Sequence, residues 1–257
     1  MRRHQIVLSA VFVCSFVGSS EARRHRTSSA VRVFTNADEV FQAVSATYRV
    51  PEGLLRGIWN KESSELAGGW RTAGGDWFLA RSLIRPEGEC FKQYPQKRER
   101  CVAHWRALVA LCAQRYKNGL QKGKRMCNPY QVYTSYAFAM GPMQHEPAEH
   151  VERVAGTWRY TDISVDFDRN GVFDPHTLAD AVAATAVELK KYKHDPKSNG
   201  TWRWAVNRYY GSQKGGYYDG RWEWKEKTGT VEYRHGVHDY SIAWCKKHRC
   251  QSVQARR

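Results

Sequence analysis

Apolar residues recur along the chain mainly at helical spacing. Over residues 98–117 (RERCVAHWRALVALCAQRYK), Val102, Trp105, Leu108, Val109, Cys112 and Tyr116 fall on one stripe, the pattern of an amphipathic helix. Over residues 51–66 the stripe is Leu54, Leu55, Ile58 and Trp59. Pro51 suits the first helical position, Glu52 the positive end of the helix dipole, and Gly68-Gly69 a stop. Similar patterns predict helices over residues 35–48, 144–155, 178–193, 201–210 and 238–248. Segments rich in Gly, Pro and charge, at 67–76, 85–97, 118–135, 156–177, 194–200 and 211–236, read as loops. The last alternates enough to hold a short β hairpin. The expected architecture is mainly α (α+β), one helical domain with a small hairpin, over residues 23–257.

The first 22 residues read differently. Arg2 and Arg3 precede an apolar run at 6–18, and Ser19-Ser20-Glu21-Ala22 supplies small residues for cleavage, the pattern of a secretory signal peptide. A membrane span needs about 20 apolar residues, so this run is too short for one. The expected location is outside the cytoplasm, periplasmic or secreted.

Charge and cysteines then narrow the setting. Forty-one Lys and Arg against 25 Asp and Glu give a net charge of +16, which favours polyanionic partners. Export points to a cell-wall polymer; the basic residues are scattered and form no recognised nucleic-acid module, so nucleic acid is not an expected partner. Aromatic residues reach 13%, and Trp and Tyr faces suit sugar rings. Six cysteines follow the leader: Cys90, Cys101, Cys112, Cys127, Cys245 and Cys250. An even count in an exported chain suggests three disulfides among fifteen schemes. Cys101 and Cys112 would lie about 16 Å apart on one helix, too far to bond, which leaves twelve. The most local set, 90–101, 112–127 and 245–250, is favoured, with free thiols or a Cys245–His248–Cys250 zinc site as alternatives.

Chemistry enters at Glu62, which continues the apolar stripe of residues 51–66. An acid on an apolar face finds a partner or loses its charge, and a raised pKa suits a general acid; the alternative is a helix-end glutamate facing water. In residues 135–147 (SYAFAMGPMQHEP), Gly141-Pro142 breaks the chain before a new helix near Gln144, placing Met143 and Gln144 where they would line a cleft. In DFDRNGVFDPHTLAD, Asp166, Asp168 and Asn170 take positions 1, 3 and 5 of an EF-hand-like loop, with Gly171 at 6 and the Val172 carbonyl at 7. Position 12 is Thr177, which has no carboxylate to give.

Taken together, VPEGLLRGIWNKESS, SYAFAMGPMQHEP, DFDRNGVFDPHTLADAV and NRYYGSQKGGYY resemble, in order, the motifs of the lytic murein transglycosylases, most of all the membrane-bound B type and its soluble lysozyme-like relatives. The likeness runs from residue 50 to 218; residues 70–134 and their cysteines stand outside it. It implies a lysozyme-like fold and peptidoglycan glycan strands as the partner. It also implies cleavage of the MurNAc–GlcNAc bond by one carboxylate, Glu62, as acid and then base, the muramic C6 hydroxyl closing a 1,6-anhydro ring. Ordinary glycosidases use two carboxylates about 5–9.5 Å apart.

By the same resemblance Ser135 and Gln144 are polar cleft residues and Met143 an apolar one, and Tyr209 or Tyr210 orients the acid. Asp180 becomes the last ligand of a structural calcium, or else the N-cap of a helix starting at Ala181. No cofactor is implied for catalysis, and a monomer is expected. Phe138 replaces a family glycine, so its ring is expected to narrow the cleft; His145 and Glu146 replace an apolar pair. Two alternatives remain: a non-catalytic peptidoglycan-binding protein on the same fold, and a hydrolase akin to goose-type lysozyme, whose second acid would be Glu65 or Asp76.

Overall fold

The computed structural model of the protein describes residues 30–65, 77–117, 127–196, 200–209 and 228–248. The expected signal peptide therefore lies outside the described residues. The elements all fall in the unit Val31–Arg257. In chain order they are α1 (Ala37–Tyr48), α2 (Glu52–Ser63), β1 (Phe78–Leu79), α3 (Ala80–Leu83), α4 (Glu89–Gln93), α5 (Arg98–Lys117) and β2 (Tyr133–Thr134). Then come α6 (Pro147–His150), β3 (Val151–Val154), β4 (Thr157–Tyr160), α7 (Leu178–Lys193), α8 (Trp202–Tyr209) and α9 (Thr228–His248). The result is mainly helical with two small antiparallel strand pairs, β1–β2 and β3–β4.

A first core joins α1, α2, α7, α8 and α9 through Phe41, Val44, Leu54, Leu55, Ile58, Trp59, Val182, Leu189, Val206 and Val237. The Asn36 side chain caps α1 by accepting from Glu39 N at 3.0 Å, and Glu39 accepts in return from Thr35 N at 2.8 Å. Helix α2 is buried continuously from Gly53 to Trp59. Two glycines make this possible. A Cβ on Gly57 would sit 2.6 Å from Val237 O, and one on Gly53 2.8 Å from Ser241 Oγ, so α2 and α9 meet almost backbone to backbone. Buried Arg56 is neutralised by Asp38 (2.6 Å) and Glu52 (2.9 Å) and lies over the rings of Phe41 and Trp244.

A second core gathers α3, α4, α5, the β3–β4 hairpin and the segment 138–140, around Leu83, Phe91, Leu108, Leu111, Phe138, Met140 and Phe173. The disulfides Cys90–Cys101 and Cys112–Cys127 bind its edges, as the most local scheme expected. Cys245 is disulfide-bonded too, and its expected partner Cys250 lies outside the described residues. Helix α7 is the shared wall. Its small residues Ala181, Ala183 and Ala186 face the first core and Ala184 the second, which permits burial on both sides.

The structure corrects several expectations. Residues 144–155 do not form one helix: α6 is a single turn begun by Pro147, and the chain then enters β3. The hairpin is β3–β4, paired from Val151↔Tyr160 to Val154↔Thr157, across a turn where Ala155 (φ 48°) and Gly156 (φ 81°) are both left-handed. Of the segment 211–236 expected to hold a hairpin, residues 211–227 lie outside the described residues and the rest is helical, α9 beginning at Thr228 rather than 238. Gly236 argues against helix by propensity, yet it lies inside α9, where a Cβ would meet only the flexible end of the Lys61 side chain. On α5 the buried face is Cys101, His104, Leu108, Leu111 and Cys112, while Val109 is 39% exposed. The two disulfides fix that face, and His104, polar in the pattern, belongs to it.

Candidate active site

Helix α2 ends at Ser63, followed by Ser64 (φ 52°) and Glu65 (φ 64°), both left-handed. Glu62 therefore stands in the last turn, where the buried stripe opens toward solvent, and it is half-buried. Its charge acts on Tyr209 of α8, whose phenol is pushed well above its ordinary value first by burial and then by Glu62. Tyr209 stays a neutral phenol near pH 7. Its hydroxyl donates to Met143 O at 2.5 Å and lies 3.3 Å from Thr185 Oγ1 of α7. One side chain thus fixes α8 against α7 and the 140s loop, within the reach of the Glu62 charge.

The other expected positions are arranged as follows. Met143 is fully buried in the first core and offers its carbonyl to Tyr209, so its side chain does not line an open surface. Gln144 is left-handed (φ 58°), and its Nε2 donates to Gly141 O at 2.8 Å. Gly141 (φ 68°) has no room for a Cβ, which would overlap Pro175 O; the glycine lets the 140s loop lie against the aspartate loop. Ser135 Oγ accepts from Ala137 N (3.3 Å) and Ala139 N (3.1 Å), organising its own turn. Tyr210 lies outside the described residues.

Phe138 is the clearest correction. Its backbone is left-handed (φ 65°), the conformation a glycine adopts freely, and this turns the ring into the second core. There it is fully buried, 6.0 Å from the His104 ring with planes 16° apart. It does not narrow a cleft. Of the two candidate second acids, Glu65 accepts from Tyr240 of α9 and from Asn60 Nδ2 at 3.3 Å, and Asp76 lies outside the described residues.

The aspartate loop closes on itself. Asp166 accepts from Asn170 N (3.0 Å) and Gly171 N (2.8 Å), Asp168 accepts from Asn170 N and Nδ2, and Asn170 Oδ1 accepts from Val172 N. Asp180 is not an N-cap: Thr177 precedes α7, and Asp180 lies in its first turn. Its fully buried carboxyl accepts from Phe167 N, Asp168 N and Asp174 N. One carboxylate oxygen each of Asp166, Asp168 and Asp180 lies within 4.8 Å of the others. Burial, and then Asp168 and Asp166, hold the Asp180 carboxyl up at about 7 despite the backbone N–H groups opposing them. Three like charges brought this close suit a hard divalent cation.

Sequence reasoning passed over one group. Behind Tyr209, buried His145 and His150 meet edge to face at 4.7 Å, with Glu149 of α6 and Glu188 of α7 beside them. The string HEPAEH was its only trace.

No family model and no curated protein matches the chain. Among solved structures, the Escherichia coli lytic transglycosylase Slt35 in complex with bulgecin A aligns over 83% of this chain and 71% of its own, at 13% identity and TM-score 0.55. A 36 kDa muramidase/transglycosylase aligns over 83% and 72%, again at 13% identity and TM-score 0.55. A structure of Slt35 with calcium aligns at 18% identity and TM-score 0.44, and this chain spans 40% of it, a likeness too weak to build on. At such identities the shared property is the fold: a mainly helical, lysozyme-like architecture similar to that of Slt35.

Proposed function

We propose that this protein cleaves peptidoglycan glycan strands as a lytic transglycosylase, with Glu62 as its catalytic carboxyl. The observation that carries the reading is Glu62, half-buried in the last turn of an otherwise buried helix, with its charge acting on Tyr209, which is itself anchored to Met143 O. The four sequence motifs and the fold shared with Slt35 support it. In the reaction the Glu62 carboxyl gives its proton to the GlcNAc O4 as the bond from muramic C1 to O4 breaks. The carboxylate then takes the proton of the muramic C6 hydroxyl as O6 bonds to C1, and Glu62 ends as it began, with no water consumed. The nucleophile belongs to the substrate, so its attack is intramolecular. Tyr209 has committed its proton to Met143 O and acts by position.

Glu65, held by Tyr240, is not arranged as a second acid, which disfavours the hydrolase alternative. The inward ring of Phe138 removes one motive for a purely binding role. Asp166, Asp168, Asn170, the Val172 carbonyl and Asp180 would hold a calcium ion that rigidifies the loop packed on Gly141 and takes no part in the chemistry. Among the described residues no helix is long and apolar enough to cross a membrane. The disulfides and wall substrate fit an exported protein, periplasmic or secreted.

The test is digestion of purified peptidoglycan by the protein and by Glu62→Gln, with products identified by mass spectrometry. Anhydro-muramyl ends from the wild type alone are expected. Reducing ends would mean that water attacks, and wall binding without products would favour the binding protein. Calorimetry should show calcium binding that Asp168→Asn abolishes; its absence in the wild type removes the calcium assignment.

A further inference from the structure

We propose that His145, Glu149 and His150, with Glu188 beside them, form a second metal site, built for a borderline divalent cation of the zinc class. One ligand atom from each of the first three lies within 4.8 Å of the other two. Zinc–nitrogen bonds of about 2.0–2.1 Å at tetrahedral angles separate ligands by about 3.3 Å, so small rotamer shifts close the set.

The hydrogen bonds leave one nitrogen of each ring bare. His145 Nε2 is 2.9 Å from Ala181 O, which can only accept, so Nε2 carries the proton and Nδ1 the lone pair. Thr185 Oγ1, also near that nitrogen, sends its own proton to Ala181 O. His150 Nδ1 is 3.2 Å from Ser164 Oγ, whose proton goes to His150 O at 2.8 Å. Ser164 therefore accepts from Nδ1, and the lone pair of His150 sits on Nε2. His145 Nδ1 and His150 Nε2 are both buried and have no protein partner. A ring nitrogen whose opposite N–H is fixed by a carbonyl or hydroxyl is the arrangement metal-binding histidines use.

The carboxylates complete the pattern. Glu149 accepts from Glu146 N at 3.2 Å. Glu188, 3% exposed, accepts from Tyr192 at 2.5 Å and leaves its second oxygen without a partner. Its charge acts on Glu149, and two carboxylates would balance a divalent cation. Two imidazoles with carboxylates select a borderline metal over calcium. Burial favours the neutral histidines that such a metal needs, pushing His145 down to about 4. The site joins the 140s loop and α6 to α7, 6.2 Å in ring separation from Tyr209.

Chelator-stripped protein, its aspartate loop first filled with excess calcium, would be dialysed against zinc chloride and then metal-free buffer. One retained zinc per chain is expected, and X-ray absorption should find two imidazoles in its ligand shell. His150→Gln and Glu149→Gln, checked for folding by circular dichroism, should each weaken retention at least about tenfold, while Asp168→Asn leaves it unchanged. No retained zinc in the wild type, a shell without paired imidazoles, or full retention in both folded variants would overturn the proposal. No readout uses activity, so the result is independent of whether Glu62 cleaves the wall.

Discussion

The two cores flank the same helix, α7, and are held by different means. The first is built on close helix contact: Gly53 and Gly57 bring α2 against α9, and the last turn of α2 presents Glu62. The second depends on cross-links and unusual backbone: two disulfides, a left-handed Phe138, and a histidine inside an apolar face. Apart from the segment 135–147 and Phe173, the motif likeness falls on the first, while much of the second comes from residues 78–134, which stand outside it. Such a division implies that chemistry and the added region fail separately. Glu62→Gln should lower wall cleavage by at least about 10²-fold while moving stability by no more than about 0.5 kcal/mol, read by product release and urea midpoint.

Phe138→Ala is the converse. It should cost about 3–5 kcal/mol yet leave the activity of the folded fraction intact. Phe138→Gly should recover about 1 kcal/mol of that by relieving the left-handed backbone; if glycine is no better than alanine, the strain assigned to φ 65° is not there. Replacing Cys112 and Cys127 together by alanine should cost about 3 kcal/mol, again without altering product type. Gly57→Ala should cost about 1–3 kcal/mol through overpacking against Val237 O. It should also depress activity, because it displaces the helix that carries Glu62. A Gly57→Ala protein as active as wild type would break the link between the first core and the acid.

How much the sequence revealed follows the same line. The α2 stripe with Pro51 at its start, the α5 span, the 1-3-5-6 spacing of the aspartate loop and the 90–101 and 112–127 disulfides are local patterns, and they were readable. The direction of the Phe138 ring was not, because it depends on a backbone dihedral and on which core lies opposite. Nor was the start of α9: Gly229 and Gly236 speak against helix, and only the close packing of α9 on Gly53 and Gly57 of α2 shows what holds it. The buried face of α5 was displaced from the predicted stripe because the disulfides, rather than Val109, decide which side turns inward. The cluster of His145, Glu149 and His150 with Glu188 needed the single turn of α6 and the packing of α7, neither of which the string HEPAEH shows.

The smallest expected effect isolates the polar member of the second core. His104 lies against Phe138, and its Nε2 is 3.3 Å from both Arg100 Nε of its own helix and Glu146 Oε2 of the 140s loop. Burial lowers its pKa, Arg100 adds to this, and Glu146 opposes without reversing it. The unfolded chain takes up this proton near pH 6.5, whereas the fold resists it. Stability contributed by His104 is therefore present above about pH 6.5 and lost as pH falls toward its lower folded value. Urea midpoints in chelator at several pH values between 7.5 and 5 should fall for the wild type and fall less steeply for His104→Leu. The difference between the two slopes belongs to His104, since His145 and His150 titrate alike in both. Equal slopes would mean that Glu146 holds the imidazolium as readily as water does, and the second core would then tolerate a charge where it now packs a neutral ring.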